Sequence, residues 1–174
     1  IIKPIFTYRD NLNFWIEEFE ELGTKLIPVS NSDTGLTITN DKNLVFEGSG
    51  SGHFVLSEGK NKARAASNQR FKFPKGQAIF LELNYKTNQD LIIGLVIHTP
   101  SNTGIGDILQ EHLYLVSTLE NGVVQWKKSY VDLSTVVNNQ GSITDFDVYF
   151  ELRRSGEATA PEAFIDNLKI IYFK

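Results

Sequence analysis

The chain closes with the stretch Ala163-Phe164-Ile165-Asp166-Asn167-Leu168-Lys169-Ile170-Ile171-Tyr172-Phe173. This stretch is long, apolar and aromatic, as expected of a β-strand, but an Asp-Asn pair lies inside it. A carboxylate in a strand interior is unfavourable unless another group satisfies it. A second long strand precedes it, at Phe146-Asp147-Val148-Tyr149-Phe150-Glu151-Leu152-Arg153. Two such strands at the end of the chain predict a β-sandwich.

The rest of the sequence supports the same fold class, because short segments of period two alternate with turn residues and almost none has a helical period. We predict an all-β, two-sheet antiparallel β-sandwich with at most short helical turns, as a single domain over residues 1–174. Strands are predicted at 26–29, 36–39, 43–47, 53–57, 69–73, 78–86, 90–98, 111–119, 123–131, 143–154 and 163–173. Residues 12–22 fit both a helix and a strand, and residues 132–137 predict one helical turn.

Composition limits the function. Of 174 residues, twelve are Phe and six are Tyr, which favours sheet over helix. The net charge of −4 argues against a nucleic-acid partner, because such partners require a basic surface. Cysteine is absent, so the chain has neither disulfides nor thiolate metal sites.

Methionine is also absent, including at position 1, and we therefore expect the true start to lie upstream. The longest apolar run, Leu91-Ile92-Ile93-Gly94-Leu95-Val96-Ile97, is far shorter than the roughly 20 residues that span a bilayer. No transmembrane segment is predicted. Gly94 is expected to leave a shallow gap in the outer surface of this strand.

Alternation within the strands predicts which side chains face away from the core. In the strand over 143–154, the residues Phe146, Val148, Phe150 and Leu152 are expected to point inward. The same alternation sends Leu113 and Leu115 inward, with His112 and Tyr114 outward. The outward side chains of three strands, if those strands are neighbours in one sheet, form a polar and aromatic platform comprising Glu82, Asn84, Tyr114, Tyr149, Glu151 and Arg153. Sugars are bound by such mixtures of rings and planar polar groups, although scattered tyrosines are also ordinary on strand surfaces.

Several motifs resemble a known family through their order and spacing. They are Phe19-Glu20, Gly48-Ser49-Gly50-Ser51-Gly52, Leu81-Glu82-Leu83-Asn84-Tyr85-Lys86-Thr87-Asn88, Trp126-Lys127-Lys128-Ser129-Tyr130-Val131-Asp132-Leu133 and Phe164-Ile165-Asp166-Asn167-Leu168. The set resembles the jelly-roll domains of bacterial surface lipoproteins, which are similar to carbohydrate-binding modules with a galactose-binding-like sandwich. The resemblance implies a non-catalytic carbohydrate-binding or accessory module, exported to the bacterial cell surface or periplasm, with a lipid anchor upstream. Its partner would be a glycan or a surface-assembly protein.

The same resemblance implies a structural calcium ion held in part by Glu20 and Asp166. Carboxylates and carbonyls are the ligands that Ca²⁺ prefers, and a bridge between the first and last strands would resist fraying. The alternative is that Asp166 accepts hydrogen bonds from the backbone or from a lysine, and that Glu20 is a solvated charge.

Other functions remain open from the sequence. One is a structural or adhesive module whose outer sheet contacts protein. Another is a glycosidase or lyase, for which Glu82 with Glu151 is a candidate acid pair. The three histidines, His53, His98 and His112, lack the close spacing of metal ligands.

Two further features have competing interpretations. The basic stretch over 60–75 is interpreted as a solvated edge strand rather than a contact for an anionic glycan or a lipid headgroup. Trp126 is expected to pack inside the sandwich, although its ring would also suit stacking on a sugar.

Overall fold

The two long strands that close the chain lie in different sheets of a computed structural model, which describes residues 12–20, 23–29, 32–99, 106–141, 144–155 and 160–173. The elements are β1 (Leu12–Glu17), β2 (Leu26–Pro28), β3 (Leu36–Thr39), β4 (Ser51–Val55), β5 (Lys62–Ser67), β6 (Ile79–Thr87), β7 (Leu91–His98), β8 (Ile108–Leu115), β9 (Leu119–Glu120), β10 (Val123–Val124), β11 (Lys127–Asp132), α1 (Ser134–Asn138), β12 (Asp145–Arg153) and β13 (Glu162–Phe173).

All of the described strands except β9 and β10 form two antiparallel sheets. The first sheet has the order β11-β6-β13-β4-β3, with β1 paired to the far half of β13. The second sheet has the order β2-β5-β12-β7-β8. The short strands β9 and β10 form a separate hairpin, whose turn residues Asn121 and Gly122 both have positive φ, as a tight hairpin turn requires. The predicted all-β sandwich and the single helical turn are confirmed.

One hydrophobic core fills the space between the sheets. The inward residues Leu81 and Ile165 of the first sheet and Ile93 and Phe150 of the second are all fully buried in it. Trp15 of β1 is also in this core, with its ring edge-on to Phe71 at 6.0 Å. The segment whose sequence fits both a helix and a strand therefore forms a strand over residues 12–17, because its alternation places Trp15 in the core.

The closing strand β13 joins the ends of the chain. Leu12 to Glu17 pair with Phe173 to Leu168 in continuous antiparallel register. On its other side β13 pairs with β6, and the register shifts between Asp166 and Lys169. Asn167 lies in this bulge with a φ of 49°, a left-handed conformation that asparagine tolerates better than most residues. The polar pair inside the apolar run is therefore the sequence mark of a bulge.

Four strand predictions were wrong. The single strand predicted over 123–131 is two strands, β10 and β11, which lie in different sheets. Residues 43–47 form turns, because the amides of Leu44 and Val45 both donate to the Asp41 carbonyl. Residues 69–73 contribute only an isolated bridge from Phe71 to Phe146. Within the basic stretch, β5 is an internal strand between β2 and β12, so the edge-strand interpretation fails there.

Candidate functional site

The outer face of the second sheet, meaning the face turned away from the core, carries a cluster of charged side chains. They lie on β5, β12 and β8, with β7 between the last two. On β12 the core-facing residues are Phe146, Val148, Phe150 and Leu152, as predicted. The alternate residues Tyr149, Glu151 and Arg153 lie on the outer face. Glu151 is directly opposite Arg64 of β5 on one side and Ile92 of β7 on the other.

Glu151 lies at the centre of this cluster and its side chain is fully buried. Its Oε2 accepts hydrogen bonds from Nε of Arg64, at 2.6 Å, and from Nη2 of the same guanidinium. Its Oε1 accepts a bond from Nε of Arg153 at 2.7 Å. Two guanidinium groups therefore hold one carboxylate in a fixed orientation, which is what a buried charge requires.

Arg153 connects this buried carboxylate to the solvent-exposed edge strand β8. Its Nη2 donates to Oε1 of Glu111, and Glu111 also accepts a hydrogen bond from the Tyr114 hydroxyl. We refer to Arg64, Glu151, Arg153, Glu111 and Tyr114 as the Arg–Glu network. Its two arginines and two glutamates cancel in charge. The ring of Tyr114 is 48% exposed, so the network ends in an accessible aromatic surface.

A bulge in β8 places both Glu111 and Tyr114 in this network. Ile93 pairs with Leu113 and Gly94 pairs with Glu111, so His112 is the extra residue of a β-bulge. The ring nitrogen Nε2 of His112 lies 2.7 Å from the Asp132 carbonyl oxygen of the first sheet. Strict alternation predicted that His112 would face outward with Tyr114, and that prediction was wrong because of the bulge.

The network changes the acidity of its most exposed acid. Hydrogen bonds from Arg153 and then from Tyr114 lower the pKa of Glu111 below its usual value of 4.5. The same bond to Glu111 raises the pKa of the Tyr114 hydroxyl. At neutral pH the network therefore presents an ionised acid, a guanidinium and a neutral phenol.

Tyr149 faces outward, as predicted, but it is not accessible. Its ring packs against Gly94, where an added Cβ would lie 2.5 Å from Cε1 of the ring, and the Arg64 guanidinium lies 5.4 Å from the ring centroid. Burial raises the pKa of the Tyr149 hydroxyl to about 12. The gap expected at Gly94 therefore exists, but the ring of Tyr149 fills it.

The two remaining platform residues, Glu82 and Asn84, lie on β6 in the first sheet. Glu82 forms an ion pair with Lys128 at 2.6 Å, and Asn84 is opposite Asp166 of β13. The structure thus brings together four of the six predicted residues and places two on the other sheet. The candidate acid pair of Glu82 and Glu151 is separated in the same way.

The two predicted calcium ligands both contact the loop over 46–51. Oδ2 of Asp166 accepts hydrogen bonds from the hydroxyl of Ser51, at 2.7 Å, and from the amides of Phe46 and Glu47. Glu20 accepts bonds from the amide and the hydroxyl of Ser49. Burial raises the pKa of Asp166, whereas the bonds from Ser49 lower the pKa of Glu20.

Beside this loop is a cavity of about 340 Å³ lined by Glu18, Glu20, Glu47, Gly48, Asn167 and Lys169. Within the described residues, no three acidic or histidine side chains converge as a metal site would require. The chemistry of Glu20 and Asp166 suits calcium, which prefers oxygen ligands. The calcium site stays a prediction.

Trp126 corrects another expectation. Its ring packs edge-on against Phe46 at 5.4 Å and near Phe164 at 6.5 Å, outside the core cluster. It is half-buried beside the first sheet rather than packed between the sheets.

Sequence reasoning missed Arg64 and Glu111 as members of the network. A signal for Arg64 was present, because it lies between Ala63 and Ala65, which enter the core. A charge that alternates with small apolar residues indicates an outward position on a strand. Glu111 had no such signal, because its position depends on the bulge.

No protein-family model matches this chain, and no curated protein matches it either. Solved structures do share its fold. The CBM22-1 xylan-binding domain of Xyn10C from Paenibacillus barcinonensis has a TM-score of 0.58 at 13% identity, with 92% of this chain and 94% of that chain covered.

Two other similar structures belong to the same broad class. A variant of the family 29 carbohydrate-binding module CBM29-2 in complex with mannohexaose has a TM-score of 0.53 at 13% identity and covers 92% of each chain. Another CBM29-2 variant, in complex with cellulohexaose, has the same TM-score and identity over 94% of this chain and 93% of that chain. The predicted resemblance to carbohydrate-binding modules is confirmed at the level of the fold. Among the residues that the structure describes, no helix is long and apolar enough to cross a membrane.

Proposed function

We propose that this protein is a non-catalytic glycan-binding module, and that the exposed end of the Arg–Glu network is its binding surface. The observation that carries the proposal is the fixed arrangement of Tyr114, Glu111 and Arg153 on an outer sheet face. The shared fold supports it, since similar structures include a xylan-binding domain and modules in complex with mannohexaose and cellulohexaose.

The chemistry of this surface suits a neutral sugar. Tyr114 offers an exposed ring face, and C–H groups of a pyranose pack on such rings. Arg153 and Glu111 are planar donors and acceptors whose side chains are 41% and 36% exposed. Their mutual hydrogen bonds fix their orientation before the ligand arrives, which reduces the entropy lost on binding. Because the charges of the network cancel, a neutral glycan is favoured over a polyanion.

The non-catalytic part of the proposal is supported by the separation of Glu82 from Glu151. A glycosidase requires two carboxyl groups across the scissile bond, and Glu151 is fully buried by two arginines. The exported, bacterial cell-surface location is supported by the spaced motifs quoted from the sequence.

A structural calcium ion is a further part of this proposal. Glu20 and Asp166 would hold it beside the loop over 46–51, and its role would be to fasten that loop to β13. Asp166 already binds the loop through Ser51 and two amides, so the ion would reinforce an existing connection.

The direct test is isothermal titration calorimetry with mannohexaose, cellohexaose and xylohexaose. We expect at least one to bind and Tyr114→Ala to weaken that binding at least tenfold. Tyr114→Phe retains the ring and should stay within about threefold, and Val123→Ala, an exposed residue of the β9–β10 hairpin, should have no effect. Equal affinity of wild type and Tyr114→Ala, or no binding of any hexaose, would overturn the proposal. Chromatography of the hexaoses after incubation should show no cleavage.

A further inference from the structure

The outer face of the first sheet carries exposed rings on three of its strands. Phe14 of β1 is 58% exposed, Phe80 of β6 is 43% exposed and Tyr130 of β11 is 68% exposed. Their sequence neighbours Trp15, Ile79, Leu81 and Val131 are buried in the core, so these rings point away from it. We call Phe14, Phe80 and Tyr130 the aromatic stripe.

The strand register sets the spacing of the stripe. Phe14 is opposite Ile171 of β13, and Ile171 is opposite Phe80, so Phe14 and Phe80 lie in one row across three strands. Two strand spacings separate them by about 10 Å. Tyr130 is opposite Glu82, one strand further and two residues along, which places it about 8 Å from Phe80.

This spacing fits a β-1,4-linked polysaccharide. In such a chain every second sugar presents the same face, and a disaccharide is close in length to the separation of Phe14 and Phe80. Polar groups accompany the rings: Lys128 lies 5.2 Å from the centre of the Tyr130 ring and pairs with Glu82, and Lys169 is opposite Glu82. Rings flanked by paired charges are suited to a ligand with apolar faces and hydroxyl edges.

The size of the stripe argues against a protein partner. Its exposed apolar area, with Ile16 included, is only about 400 Å², taking roughly 200 Å² for each aromatic side chain. A stable protein interface covers about 800 Å² on each partner. A polysaccharide contacts a protein ring by ring and does not need the larger area.

We propose that the aromatic stripe is a second glycan-binding surface, which takes the flat face of an insoluble β-1,4-linked polysaccharide. It lies on the opposite sheet from the Arg–Glu network and works without it. The inference rests on the proposed function only for the chemical class of the ligand. With one surface on each side of the sandwich, the protein would hold an insoluble polymer and a soluble chain at the same time.

The test is depletion of the protein from solution by microcrystalline cellulose and by insoluble β-1,4-mannan. All measurements use the Tyr114→Ala background, so that the network does not contribute. We expect depletion by at least one polymer, and the polymer that acts identifies the sugar. Phe80→Leu, which stays apolar but loses the planar ring, should reduce the bound fraction at least tenfold, whereas Phe80→Tyr should restore it. Val116→Ala, another exposed apolar residue, is the matched control and should bind normally.

Three results would overturn the inference. They are no depletion by either polymer, equal depletion of Phe80→Leu and Phe80→Tyr, and a dimer in sedimentation velocity that Phe80→Leu dissociates. The last result would identify the stripe as a protein interface. If the insoluble polymers fail to deplete the protein but the wild-type protein still binds soluble hexaoses, the inference about the aromatic stripe is wrong and the proposed function stands.

Discussion

Replacement of Glu151 by leucine tests whether the Arg–Glu network stabilises the folded protein. The substitution leaves the guanidinium of Arg64, whose side chain is only 10% exposed, without its carboxylate. Removal of one partner from a buried ion pair costs about 3–5 kcal/mol of folding free energy. For a chain of this length, each kcal/mol lowers the melting temperature by about 2–4 °C, so we expect a decrease of roughly 6–20 °C.

Calorimetry and urea unfolding at pH 7 provide the measurement, and Glu82→Leu is the matched control. Glu82 also pairs with a cation, Lys128, but that cation is 44% exposed, and such surface pairs contribute about 0–1 kcal/mol. The double variant Arg64→Met/Glu151→Leu should recover much of the loss, because a hydrophobic pair can replace a buried ion pair. A loss for Glu151→Leu no larger than for Glu82→Leu would refute this reasoning, as would a double variant less stable than Glu151→Leu alone.

Three other predictions follow from the geometry. Gly94→Ala should destabilise the fold by about 1–3 kcal/mol in urea unfolding, because the new Cβ would lie 2.4 Å from the Gln110 carbonyl oxygen. The control Gly23→Ala, with open space around it, should cost much less stability. Equal costs would contradict the packing of Tyr149 on Gly94. Calcium at one hundred times its dissociation constant should stabilise the wild-type protein by about 2.7 kcal/mol and the Asp166→Asn variant much less. A melting temperature that responds to neither calcium nor chelator would exclude a structural calcium ion. Because the pKa of Glu111 in the folded protein is lowered from 4.5, its hydrogen bonds to Arg153 and Tyr114 stabilise the protein above that pH and are lost as the pH falls through the lower folded value. Glu111→Gln should flatten this part of the curve of unfolding free energy against pH. An unchanged curve would show that these bonds contribute nothing to stability.

The fold was predictable because alternation in the long strands is strong. The residues Phe146, Val148, Phe150 and Leu152 of β12 share one buried face, and that face was assigned correctly from sequence. The Asp166-Asn167 pair also indicated a special position in the closing strand. Strands rich in small or charged residues were harder. The stretch that contains β5 was interpreted as an edge strand from its charges, because Ala63, Ala65 and Ala66 give a weak apolar pattern.

The candidate site was only partly predictable, because alternation defines the two faces of a strand but not the sheet to which it belongs. Glu82 and Glu151 both point away from the core, yet β6 and β12 lie in opposite sheets. Burial of an outward residue was equally hidden, since Tyr149 is covered through its contact with Gly94. The bulge at His112 left no mark in the local sequence, so the position of Glu111 could not be found.

Mapping of amide chemical shifts by NMR during titration with mannohexaose or cellohexaose tests the central claim most directly. We expect the largest chemical-shift changes at Glu111, Tyr114 and Arg153 on the outer face of the second sheet. The shifts of β4, an internal strand of the first sheet, should change little. Changes that are absent, or that are confined to residues away from the Arg–Glu network, would contradict the assignment of this face as the glycan-binding surface.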